Sequence, residues 1–448
     1  MREGSLEAPT RHPLNWQDPD FTDPEKLDEE LRRVFDVCHG CRRCFNLCDS
    51  FPRLFDLIDE SESMELDTVS SDDFGPVIDA CTLCDMCFMT KCPYVPPHEF
   101  NIDFPHLMLR YRAMEHGQGK TGFVEKQLTK TDRNGQMARP VAALANWATK
   151  TENKTVRTLM ENAVAIDKRA AIPKFNGQTL ELLDKSLPIT PNPDAPAFGR
   201  KAVLYATCFG NFNNPQIGMD ARAILAKNGV ETEVVHPGCC GMPILERGDI
   251  AGVAEQARTV SDALNPWIDQ GYDIIALIPS CALMLKFEWP LILPDDPEIA
   301  KLSEGTFDLS EYIVDIAKRD GLSEGLQPLE GGVAMHLACH ARAQNMGPKA
   351  VEMLKLIPEA DVEMMERCSG HGGSWGIMKD NFETAMKVGR PVARTAAKSG
   401  KAYVASECPL AAEHILQGMD DQDAAAKPAR SYHPIELFAM AYGLDSND

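Results

Sequence analysis

Cysteine is the residue whose placement speaks first in this chain. Four lie at Cys38, Cys41, Cys44 and Cys48, and four more at Cys81, Cys84, Cys87 and Cys92. The first set has the C-x2-C-x2-C-x3-C spacing of bacterial four-iron ferredoxins, and the second has it with one extra residue in the last gap, followed by Pro93. Three thiolates at two-residue spacing wrap one face of a 4Fe–4S cube, and the fourth iron takes its ligand from elsewhere. In two-cluster ferredoxins that ligand comes from the other motif. The expected sets are therefore Cys38, Cys41, Cys44 and Cys92 for one cluster, and Cys81, Cys84, Cys87 and Cys48 for the other. Structural zinc, the competing reading, prefers separated Cys-x2-Cys pairs around a single ion. Asp49 stands where proline usually follows the last cysteine, with Pro52 close by.

The other seven cysteines repeat. Cys208, then Cys239-Cys240-Gly241, then Pro279-Ser280-Cys281 form one copy; Cys339-His340, then Cys368-Ser369-Gly370, then Cys408-Pro409 form a second. Counterparts lie 127 to 131 residues apart. Adjacent cysteines are awkward around one tetrahedral ion and suit a multi-iron cluster, and Gly241 and Gly370 would let the backbone approach closely.

The elements that position these residues follow from pattern. Asp23 caps and Pro24 opens a helix whose stripe of Leu27, Leu31, Val34 and Phe35 leads to Cys38. Phe104–Met114 reads as a helix. From about 200 onward, apolar runs alternate with helices. Strands are predicted at Ala202–Ala206, Val230–Val235, Asp273–Ile278, Gly332–Leu337, Asp361–Glu366 and Ala402–Ser406. Helices are predicted at Pro215–Asn228, Ile250–Gln270, Pro348–Leu356 and Asn381–Lys398. Alternation of this kind implies parallel βαβ units, and the cysteines fall at or just beyond strand ends, where such folds place their sites. The fold class is thus mixed: a mainly helical two-cluster domain followed by two duplicated α/β modules. The divisions are 1–30, an acidic extended tail; 31–115, the helical ferredoxin-type domain; 116–199, helix and linker; 200–328, the first module; and 329–448, the second and degenerate module. Within the linker, Val156, Leu159, Met160, Ala163 and Val164 form a helical stripe flanked by Lys150, Lys154, Arg157, Lys168 and Arg169, expected to pack between domains. Membrane-surface or partner docking is its other reading.

Tandem Cys-Cys-Gly modules behind a two-cubane domain resemble the heterodisulfide reductase-related iron–sulfur proteins. The pattern is similar to the iron–sulfur subunits of anaerobic glycerol-3-phosphate dehydrogenase and glycolate oxidase, notably at Cys368-Ser-Gly-His-Gly-Gly-Ser-Trp-Gly376 and His433-Pro-Ile-Glu-Leu437. The resemblance implies a redox-active 4Fe–4S cluster on Cys208, Cys239, Cys240 and Cys281. The family's final cysteine is replaced in both copies, by Met284 and Ala411, and Ser369 replaces the second of the adjacent pair. Around Cys339, Cys368 and Cys408 three readings stay open: a cluster with an open or serine-ligated iron, zinc completed by His340 or His371, or a vestigial site. His336, inside a predicted strand, reads as a satisfied core histidine.

The chain has 448 residues, a net charge of −22 and 44% hydrophobic residues. That acidity argues against a nucleic-acid partner. No apolar run reaches the ~18 residues of a membrane span, the longest, Ile274–Leu285, being interrupted by Pro279 and Ser280, and no secretory leader is evident. A cytoplasmic protein is expected, with peripheral contact at the inner face of the plasma membrane left open. Gly117-Gln-Gly119-Lys-Thr-Gly122 spells a dinucleotide motif but follows a helix rather than a strand, so any flavin belongs to another subunit. The expectation is an oxidoreductase subunit relaying single electrons from a flavin- or iron-containing dehydrogenase or redox protein to quinone or another acceptor. Its rivals are a heterodisulfide or thiol-disulfide reductase and a non-catalytic redox sensor.

Overall fold

The computed structural model of the chain describes residues 8–422 and 427–444. Contacts divide it into two compact units. The first comprises residues 1–129 with 241–254 and 290–295; the second comprises 130–240, 255–289 and 296–448. Most of both cysteine-rich modules lies in the second unit together with 130–199, while 241–254 and 290–295 of the first module belong to the first unit.

The first unit is helical. Asp23 accepts from the backbone N–H of Glu25 and Lys26 and so caps the helix Pro24–Cys41, with proline in its first turn as the sequence indicates. Leu27, Leu31, Val34 and Phe35 are buried, as are Phe51, Leu54, Phe55 and Ile58 of the helix Ser50–Asp59, which packs against the first. Phe35 stands edge-on to Phe74 at 5.0 Å, and Phe51 packs on Phe104 at 4.6 Å. This aromatic core backs the cysteine loops.

The acidic start is not a free tail. From residue 8 the chain lies along the unit: Thr10 N–H donates to Pro96 O, Leu14 is buried, and Arg11 pairs with Asp85 and Asp103. The Arg11 guanidinium, with two carboxylate partners, is what ties this extended segment down.

The second unit holds two parallel sheets. Strands β1 (Lys201–Tyr205), β2 (Glu231–Val235), β3 (Asp273–Ala276) and β4 (Thr306–Asp308) lie in the order β2-β1-β3-β4; β5 (Val333–His336), β6 (Val362–Met365) and β7 (Tyr403–Ser406) lie in the order β6-β5-β7. Register runs Val203↔Glu233 and Val203↔Ile274 in one sheet, Ala334↔Glu363 and Ala334↔Val404 in the other, so the pattern is duplicated with one strand fewer in the second sheet. All strands are parallel, and their carboxyl ends share one edge of each sheet. The sheets interlock through their helices, Leu309–Arg319 packing on Lys349–Leu354 and Pro215–Lys227 on Pro434–Ala441. Among the described residues no helix is long and apolar enough to cross a membrane.

The linker stripe is not core. Leu159 and Ala163 face outward, whereas Arg157, read as a flanking charge, is the buried member of its helix. Its guanidinium donates to Lys168 O, Asp167 O and Ala170 O at 3.1, 2.7 and 2.7 Å. A turn of bare carbonyls outcompetes an apolar stripe for that side chain.

Candidate metal centre

In the helical unit the cysteines sit where helices end. Cys38 and Cys41 occupy the last turn of Pro24–Cys41, which stops at left-handed Arg42, whose N–H returns to Cys38 O. Cys38, Cys41, Cys44 and distant Cys92 line one cavity of about 300 Å³, counting its open mouth, with Phe51 and Phe55 among its walls. Cys48 lies within electrostatic reach of Cys84 and Cys81, and Cys87 within reach of Cys84, Cys81, Cys44 and Cys48.

The extra residue in the second motif has a local solution. Residues Cys87–Lys91 form a single π turn, closed by Cys92 N–H to Cys87 O at 2.8 Å. Leu83 and Asp85, between the cysteines, adopt positive φ, which costs non-glycine residues energy unless the surroundings enforce it. Arg11 enforces it by gripping both oxygens of Asp85 at 2.7 and 2.9 Å and covering Phe88.

These thiols are electrostatically frustrated. Burial, then Cys92 and Cys41, pushes Cys44 up to about 12; burial and neighbouring thiols hold Cys38, Cys48 and Cys87 well above the free value. Iron supplies the positive charge that would let them ionise together. Lining a cavity, rather than meeting at a point, suits ligands that bind separate corners of a cluster. Among the described residues, no three His, Cys, Asp or Glu side chains converge on one ion-sized site.

In the first α/β module, Cys208 opens a short helix after β1, Cys239 and Cys240 follow β2, and Cys281 lies in Pro279–Leu283 after β3. Cys208 Sγ is 4.0 Å from Cys239 Sγ. Contact with Cys239 and Cys281, then burial, raises Cys240, and burial, then all four thiols, raises Tyr205. Thr207, just before Cys208, is held at φ 57°, a strained value for a β-branched residue.

One partner of this group comes from the segment that carried no motif. Asp132 accepts from Cys239 N–H at 2.7 Å and pairs with His236 Nε2 at 2.9 Å. Trp289 Nε1 donates to Cys240 O at 3.1 Å. No local signal marks Asp132, which lies 107 residues from its cysteine. Gly241 is required by its φ of 86° rather than by close approach, since an added Cβ would meet Val253 only at 3.5 Å. Gly370 meets both demands: φ is 80°, and a Cβ would lie 2.1 Å from Ala385 O.

The second module is arranged differently. Cys368 is exposed and its sulfur accepts from Gly370 N–H at 3.3 Å. Cys408 lies within electrostatic reach of Cys281 of the first module. His340 Nδ1 bonds Ser280 Oγ at 2.8 Å. His371 is buried edge-on against His414, and burial pulls it down to about 3, so it is neutral. His336 has both ring nitrogens paired, to Ser406 and Arg367 O, as a core histidine should. Glu407, unremarked in the sequence, is buried, holds Ala338 N–H, and is pushed up to about 8.

The profile of the cysteine-rich domain (CCG) matches twice, at residues 202–286 and 333–411. The chain is 27% identical over 320 residues to one subunit of the anaerobic glycerol-3-phosphate dehydrogenase of Escherichia coli K12, covering 70% of this chain and 76% of that protein. It is 25% identical over 253 residues to one subunit of the fumarate reductase (CoM/CoB) of Methanothermobacter marburgensis, covering 55% and 47%. It is 25% identical over 186 residues to lactate utilization protein A of Bacillus pumilus, covering 40% and 75%.

Proposed function

With the cysteine-rich domain present twice in a chain related to the heterodisulfide reductase-type iron–sulfur proteins, we propose an electron-transfer subunit of an oxidoreductase. What supports this reading is that Cys92 lines the cavity of Cys38, Cys41 and Cys44, while Cys48 lies within electrostatic reach of Cys81 and Cys84, as an exchange of fourth ligands would require. In this reading those sets hold two 4Fe–4S clusters, and Cys208, Cys239, Cys240 and Cys281 hold a third. Such clusters, when bound, supply one-electron carriers whose potentials are set by charge, hydrogen bonds and exposure. The chain's own residues set those factors: Arg11 fixes the second motif through Asp85, and Asp132 fixes the Cys239 turn. A partner dehydrogenase would deliver electrons and quinone or another carrier would accept them.

The test is anaerobic purification followed by iron, sulfide and zinc counting with electron paramagnetic resonance. About twelve irons without zinc fits three four-iron clusters. About eight with zinc removes the third cluster, and colourless, iron-free protein overturns the proposal. Cys240→Ser is expected to abolish electron output to an acceptor while both signals of the helical unit persist.

A further inference from the structure

The cysteine loops of the helical unit carry a charge opposite to that of the molecule. Residues 37–48 and 86–98 contain Arg42, Arg43 and Lys91 and no Asp or Glu, in a chain of net charge −22. Arg42 is already engaged, since it pairs with Asp59 and lies over the ring of Phe55. Arg43 and Lys91 are exposed, and among the described residues neither has an acidic partner. Both border the first cysteine set. Arg43 lines the cavity with Cys38, Cys41, Cys44 and Cys92. Burial raises the Cys44 thiol, and Lys91 lies close enough to oppose that rise.

Here the sulfurs also come nearest to solvent. All four cysteines of the first set are part-exposed, whereas Cys81 and Cys87 of the second are buried. Aromatic rings complete the face. Phe45, next to Cys44, is 49% exposed and stacks parallel to Phe55 at 6.2 Å. Tyr94 lines the same cavity and stands edge-on to His98 at 5.1 Å. A cationic, aromatic surface beside a redox site is complementary to an acidic partner. Opposite charges steer the encounter, and arginine and aromatic rings dominate contact energy at interfaces.

We propose that this face docks a small acidic one-electron carrier protein against the site of Cys38, Cys41, Cys44 and Cys92. Arg43 and Lys91 meet carboxylates of the carrier, Phe45 supplies the apolar anchor, and repulsion from the acidic remainder of the chain disfavours other orientations. One electron then passes between carrier and cluster, one being oxidised as the other is reduced, with no bond made or broken. That last step rests on the electron-transfer reading, whereas docking itself is measured without electron flow.

The test is titration calorimetry of the anaerobically purified full chain with an oxidised plant-type ferredoxin, an acidic one-electron carrier, at low and high salt. Binding is expected at low salt and should weaken by at least about tenfold near roughly 0.5 M salt. Arg43→Glu/Lys91→Glu should weaken it by at least about tenfold and Phe45→Ala by about fivefold. Lys120→Glu/Lys126→Glu, the same change of charge at two other exposed lysines of the unit, should change it by less than about twofold. Iron content and the paramagnetic signals of dithionite-reduced protein should be the same in every variant. Absence of binding, binding indifferent to salt, or equal losses in the two charge-reversed variants overturns the proposal. Should Arg43→Glu/Lys91→Glu lose its iron, Phe45→Ala decides alone, and unchanged binding there overturns the proposal. Protein whose iron dithionite fails to reduce overturns the electron-transfer reading instead, a result separate from the titration.

Discussion

Asp132→Asn isolates electrostatics from geometry at the proposed third cluster. The carboxylate lies 2.7 Å from Cys239 N, and covalent geometry puts a cysteine's sulfur about 3 Å from its own nitrogen, so charge and sulfur are roughly 6 Å apart. At an effective dielectric of about 20, one charge at that distance acts with roughly 3 kcal/mol, and sharing with His236 reduces this to about 1–3 kcal/mol. Since about 1.4 kcal/mol corresponds to 59 mV for one electron, the substitution should move the midpoint potential by roughly 40–120 mV. The sign follows from charge: reduction adds an electron, a nearby anion opposes it, and removing the anion raises the potential. Asparagine keeps an amide oxygen to accept the Cys239 N–H, so the loop should hold. The assay is an anaerobic redox titration followed by electron paramagnetic resonance, with iron counted in the same sample. An intact signal whose potential moves by less than about 20 mV, or downward, would refute the reasoning.

Crossed ligation predicts how lesions group: Cys38→Ser and Cys92→Ser should remove the same signal, Cys48→Ser and Cys84→Ser the other; Cys48 grouping with Cys38 would be the contrary result. His336 is pulled down to about 4 by burial, against roughly 6.5 unfolded, so its contribution is complete above about pH 6.5 and is lost as pH falls toward 4. Urea unfolding should lose about 3 kcal/mol across that window, and His336→Asn should flatten the loss; an equally steep dependence in the variant would count against it. Arg157→Leu leaves Asp167 O and Ala170 O without their donor and should cost about 3 kcal/mol in the same assay, a cost below about 1 kcal/mol being the contrary result.

Sequence resolved what is encoded locally. The spacing of the helical unit's cysteines is local, because thiols two residues apart in one loop end on one side of it. Strand and helix alternation is local too, and every strand predicted from it lies within two residues of its place. Missed features are those set by distant neighbours or by very few residues. Strand β4 has only Thr306–Asp308, too short for any period to register. Asp132 acquires its role from Cys239 and His236, and Arg11 from Asp85 and Asp103; in a linear reading each is one charge among many. At 156–164 Val156, Met160 and Val164 are half-buried while Leu159 and Ala163 are exposed, because periodicity reports a face without reporting what covers it.

The second module makes the same distinction sharper. Counted by cysteines it is a copy in decline, with Ser369 and Ala411 where ligands would stand. Its contacts give it a different purpose. His340 holds Ser280, Gln344 Nε2 reaches Pro279 O at 3.4 Å, and both partners belong to the short helix that carries Cys281. Gln344 also reaches Asp308 of the first module's edge strand at 3.3 Å. The helix of Cys281 continues through a π turn at Met284–Glu288 into Trp289–Ile292, and His340 and Gln344 add hydrogen bonds at its first turn. The second copy thus meets the Cys281 helix of the first through its loop histidine and glutamine, contacts that need none of its lost thiols.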